Sequence, residues 1–135
     1  MKEVFITIMG IIGIAVGSLF GGWNSALSTL VIFMAVDYIT GLIVAGVFKK
    51  SGKTQSGALE SNAGFKGICK KAVMLFIVMV GYRLDVTMGT TIVKDAIVIG
   101  FIGNEAISIL ENTGLMGVPM NDILKSAIDV LGKKR

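Results

Sequence analysis

The chain has 135 residues, 53% hydrophobic and 16% charged, with a formal net charge of +4. That is more apolar surface than a soluble domain of this length hides in one core, so lipid is the expected cover for the rest. The absence of histidine and the single cysteine, Cys69, exclude the usual zinc sites, a Cys/His nucleophile pair and an internal disulfide, and basic residues without interleaved aromatics argue against nucleic acid; no enzyme activity and no cofactor are expected.

Residues 4–22 form a first candidate span without charge, close to the twenty residues a helix needs to cross the hydrocarbon core. Lys2, Ala15 and Gly17 superficially fit a cleaved signal, but Glu3 cancels Lys2 and the apolar run continues to Phe20, which favours a span. Gly22-Trp23-Asn24-Ser25 reads as a turn with Trp23 at headgroup level, and residues 26–48 as a second span interrupted only by Asp37. The segment 49–71 is a basic loop, with a helix capped by Ser61 or Asn62 starting near Ala63 and lying in the interface. Its lysines, Lys49, Lys50, Lys53, Lys66, Lys70 and Lys71, are read as topology signals.

A third span covers 72–88, and Gly89-Thr90-Thr91 turns the chain into a fourth segment, 92–110. Lys94, Asp95 and Glu105 leave this segment open between a span and an amphipathic helix in the interface. Four spans place the loop lysines and Lys125, Lys133, Lys134 and Arg135 on the cytoplasmic side with both termini; three spans put the C-terminal bases outside, against the positive-inside rule. The expected fold is therefore an all-α polytopic membrane protein, with a transmembrane region over 1–112 and a cytoplasmic amphipathic tail over 113–135. In that tail Asn121 is the expected cap and Gly132 the stop, with Ile123, Leu124, Ala127, Ile128 and Leu131 on one side.

Three sets of residues are candidates for function. Gly10, Gly13, Gly17 and Gly21 recur on one face of the first span, as Gly41 and Ala45 do beside Asp37 on the second, and such faces let helices approach closely. Asp37 lies mid-span, where an unpaired charge costs about 2.5–3.5 kcal/mol, so it is expected to be protonated, paired or facing water. By depth its partner is Arg83, in a structural ion pair or a gating element. Asn104, Glu105 and Ser108, with Glu111 and Asn112, form a polar stripe that lines water, a subunit contact or the solvent side of an interfacial helix.

Several stretches together resemble the phage lysis holins, a family that includes the clostridial toxin-secretion holins. They are Asp37-Tyr38-Ile39-Thr40-Gly41, then Gly64-Phe65-Lys66-Gly67 leading to Lys70-Lys71-Ala72, then Asn104 to Asn112, with Gly117-Val118-Pro119 and Leu124-Lys125 behind them. The resemblance runs from about Val31 to Leu131 and does not settle the fourth segment, since members are often read as three-span proteins. It implies a homo-oligomer in the bacterial cytoplasmic membrane that opens lesions for an endolysin or a toxin, a cargo it need not bind. A small four-span channel or exporter is the competing class. An antiporter wants an acid in its first span, where this chain has none after Glu3, and neither a channel nor an exporter needs a long basic loop. A non-conducting membrane scaffold is the third option.

Overall fold

In a computed structural model of the chain, residues 1–119 and 122–133 are described, without the side chains at 123, 124, 128 and 131–133. They are helical, with no strand among them: α1 (Lys2–Ser18), α2 (Ser25–Ile43, continued by a π-helical run Val44–Phe48), α3 (Ser61–Met88), α4 (Ile92–Leu115) and α5 (Asp122–Lys133). Ser25–Phe48 is the one described helix long and apolar enough to cross a membrane by length and composition alone. At 17 residues α1 is short of a straight crossing, and the inward faces of α3 and α4 are interrupted by charge.

The structure shifts several expected boundaries. α3 is continuous over 28 residues from Ser61, with Glu60 at its cap position, so no separate interfacial helix precedes the third segment. α4 runs on to Leu115 and α5 through Gly132 to Lys133, so the expected turn is shorter and Gly132 does not stop the last helix. The expected cap, Asn121, and most of the apolar side of α5 lie outside the described residues, and Ala127 is exposed.

α2, α3 and α4 make a bundle in which α4 packs along α2 and α3, while α5 packs back against α4. Each inward face is a stripe at helical spacing. On α2 it is Leu27, Leu30, Met34 and Asp37, continuing to Val44 and Ala45. On α3 it is Val78, Gly81 and Asp85, with half-buried Lys71, Met74 and Leu75 on the same line; on α4 it is Lys94, Val98, Glu105 and Asn112. The stripes produce three layers. Leu27, Leu30, Met34, Val78 and Val98, joined by Phe20, form an apolar middle. Polar groups sit at either end.

One polar layer is built on Asp85. Its carboxylate accepts from Thr90 Oγ1 at 2.5 Å and from the amides of Val93 and Lys94 at 3.0 and 2.9 Å. It thereby caps α4 from the end of α3, since the cap residue Thr91 makes no side-chain cap bond. Lys94, 7% exposed, donates from Nζ to the carbonyl of Phe20 and lies 5.8 Å from the Tyr82 ring centroid, tying the α1–α2 turn to the bundle. Replacing Asp85 by Ala is expected to cost about 1–2 kcal/mol by leaving those amides unpaired. The check is a lower thermal midpoint of the helical circular-dichroism signal in detergent, with exposed Asp95→Ala unchanged.

The α1–α2 connection departs from the expected glycine face. Gly21 and Gly22, with φ of 83° and 97°, are in the turn and not on the helix. Trp23 folds back over Gly17, its Nε1 donating to the Gly13 carbonyl at 2.9 Å, and Asn24 caps α2 by accepting from the Leu27 amide at 2.8 Å. A side chain added at Gly10 or Gly13 meets nothing within 4 Å, so these two positions of the α1 stripe make no close helix contact among the described residues.

Candidate functional site

The second polar layer closes the opposite end of the apolar core. Lys71 Nζ donates to Asp37 Oδ2 at 2.7 Å and to Glu105 Oε2 at 2.8 Å, so a single ammonium from α3 bridges carboxyls from α2 and α4. Asn112 Nδ2 donates to the other Asp37 oxygen at 3.1 Å, to the Asp37 carbonyl at 3.2 Å and to Thr40 Oγ1 at 2.9 Å. Asp37, Glu105 and Asn112 are 6%, 5% and 9% exposed. Charges so far from water are held by each other, and removing the ammonium leaves both carboxyls without a cation.

Helical spacing explains why these groups meet. Asp37, Gly41 and Ala45 share the α2 face that meets α4, and Gly41 leaves room for the Asn112 amide 3.8 Å from where a Cβ would stand. Tyr38, one residue from Asp37, lies over the start of α3. Its hydroxyl donates to the Gly64 carbonyl at 3.3 Å, and a Cβ on Gly67 would lie 3.6 Å from its ring. The three main motifs of the resemblance, far apart in sequence, thus converge on one place. Above them opens a cleft of about 510 Å³, walled by Ser51 to Thr54, Glu60 and Lys70 on one side and by Asn104, Ser108 and Glu111 on the other.

Of the expected site residues, Asp37 and Glu105 are central and Asn104 and Ser108 line the cleft. Arg83 is elsewhere. It is exposed on α3 beside a shallow apolar groove formed with Phe76, Val80 and Leu84. The expected Asp37–Arg83 pair is therefore replaced by Asp37–Lys71. Lys71 lies twelve residues, roughly 18 Å at 1.5 Å per residue, closer to the loop end of α3 than Arg83 does. Lys71 also leaves the set of topology lysines, while Lys49, Lys50, Lys53, Lys66 and Lys70 are exposed.

Lys71 and Lys94, the two buried or half-buried lysines of the bundle, were not recognisable from charge alone. The signal that marks Lys71 is positional: 71, 74, 75, 78, 81, 82 and 85 form one helical stripe. The helices turn charged groups inward and apolar ones outward, since Phe5, Ile14, Ile32, Phe76, Val80 and Ile99 are exposed while Asp37, Asp85, Lys94 and Glu105 are buried. Such an arrangement suits a hydrocarbon surround, where polar groups turn inward to find partners.

A helical bundle of this kind, with an inward ion cluster and an apolar surface, is the architecture of a small membrane protein. The chain belongs to the bacteriophage holin family, whose model matches residues 14–133. It is 36% identical to an uncharacterized protein of Listeria innocua, over 98% of this chain and 90% of that protein. It is 38% identical to an uncharacterized protein of Clostridium perfringens, over 87% and 84% of the two chains. A probable holin of Bacillus phage phi105 is 27% identical over 78% of this chain and 73% of its own. No solved structure matches.

Proposed function

We propose that this chain is a holin, a non-enzymatic protein that oligomerises in the bacterial cytoplasmic membrane and opens lesions through which an endolysin or a toxin leaves the cell. The observation that carries the reading is the family match across residues 14–133, supported by the similarity to a probable phage holin. In this reading α1 to α4 cross the membrane with the exposed loop lysines and both termini on the cytoplasmic side. The Asp37–Lys71–Glu105–Asn112 cluster holds the closed subunit. Assembly or loss of membrane potential separates the cluster and turns its carboxyls toward water; each charge moved across 100 mV is worth about 2.3 kcal/mol.

Expression in a bacterium with and without an endolysin tests the reading: abrupt loss of viability and leakage of cytoplasmic protein is the expected result, and selective ion flux without leakage would replace it. Asp37→Asn and Glu105→Gln are expected to change the onset of lysis because each weakens the hold on Lys71. Unchanged timing in both would remove the cluster from the closed state. Cys69, exposed near the loop end of α3, tests the orientation. It is expected to resist an impermeant thiol reagent in intact cells and to react after permeabilisation, whereas ready labelling of intact cells would invert the topology.

A further inference from the structure

The cluster at the floor of the cleft does not balance its charges. Asp37 and Glu105 bring two carboxyls to one ammonium, and the other partner of the Asp37 carboxyl, Asn112, is neutral. Fully ionised, it would leave one net negative charge among side chains that are almost completely removed from solvent. Among the described residues no neighbouring group supplies the missing positive charge. From α2, Tyr38 is neutral and engaged with Gly64. From α3, Lys70 is exposed, as is Lys53 in the loop, and the ion pairs among the described residues are both made by Lys71. Glu111 of α4 and Glu60 of the loop wall the cleft and add charge of the wrong sign. Nor does the site suit a metal ion: the ammonium already stands between the two carboxyls, and no group of three metal-binding side chains occurs among the described residues.

We propose that the Asp37–Glu105 pair is a proton-binding site, in which one proton carried by one of the two carboxyls makes the cluster neutral and exchanges with water through the cleft at the loop end. The proton comes from cleft water to a carboxylate oxygen and returns the same way, and no electron moves. Access is one-sided because the apolar layer of Leu27, Leu30, Met34, Val78 and Val98 seals the cluster from the other end of the bundle. Deprotonation leaves an uncompensated buried charge, so rising pH on the loop side loosens the packing. The inference deepens the closed state proposed above and rests on it for its role in lesion opening, while the proton site itself is measurable without lysis.

The test is infrared spectroscopy of the full chain in phospholipid bilayers at neutral pH. A protonated-carboxyl carbonyl band is expected in the native protein. It should be lost in Asp37→Asn and in Glu105→Gln, each of which leaves one carboxylate to one ammonium. In Lys71→Met it should about double, because two carboxyls then share no cation. Absence of the band from the native protein, or its survival in both near-isosteric variants, overturns the site. A band in a protein that opens no lesions overturns the proposed function and leaves the site standing, whereas lesions without a band overturn the site alone.

Discussion

Lys71→Met is expected to destabilise the bundle by about 3–5 kcal/mol, the largest effect of any single substitution on the inward faces. The lysine is the one cation among the described residues that reaches the Asp37 and Glu105 carboxyls, at 2.7 and 2.8 Å, and methionine fills its volume without its charge. The loss grows as pH rises, because a carboxyl that ionises then has no ammonium beside it. Thermal unfolding in detergent at several pH values measures this directly. Adding Glu105→Gln to Lys71→Met should recover much of the loss by removing one of the two carboxyls left without a cation. An additive double variant would mean that packing, not charge, gives Lys71 its weight. In cells Lys71→Met should bring lysis forward, since the closed packing is weakened before assembly begins.

Gly81→Val is the second large expected effect, about 2–3 kcal/mol. At Gly81 α3 and α4 approach closely: a Cβ there would lie 2.7 Å from Ile97 Cδ1 and 3.3 Å from Lys94 Cα. The end of the Ile97 side chain can rotate away, but the α4 backbone cannot, so a branched residue forces the helices apart. That displacement pulls on both Lys94, bound to the Phe20 carbonyl, and Asp85, which caps α4. The measurement is the unfolding midpoint beside Gly10→Val and Gly13→Val, which meet open space and should leave it unchanged. If the latter pair instead reduces cross-linked oligomers, the exposed α1 stripe acts between subunits, as its spacing in the sequence implies.

Much of the layout is written in local signals. Gly22 and Asn24 mark the α1–α2 turn, and Gly89 marks the α3–α4 turn, because left-handed backbone and helix caps demand those residue types, whereas Gly21 reads as part of the helix stripe and is in the turn. Asp37 and Glu105 stand out because an acid in an apolar run needs a partner. What charge alone hid was that partner. Lys66, Lys70 and Lys71 look like one basic run, but Lys66 and Lys70 are a turn apart on the exposed side while Lys71 is rotated about 100° from Lys70 onto the inward stripe. Starting the third helix at residue 72 excluded Lys71 from the bundle and made Arg83 the nearest cation by depth. Gly81 was missed for a different reason: it has no repeated glycine around it, and only the position of α4 gives it a role.

The two polar layers lie at opposite ends of the bundle with an apolar layer between them, and this constrains how the helices can rearrange. If α4 slid along α2 and α3 by one turn, about 5.4 Å, Glu105 would leave Lys71 and the first turn of α4 would leave Asp85 in the same movement. A small slide therefore gains nothing at one end to compensate for the other. The helices are keyed like a lock with two wards, and leaving that register is an all-or-none event. Under the proposed function, a subunit built this way would wait in a discrete state and change abruptly, so the sharpness of a population's response would begin within each copy before any contact between copies is made.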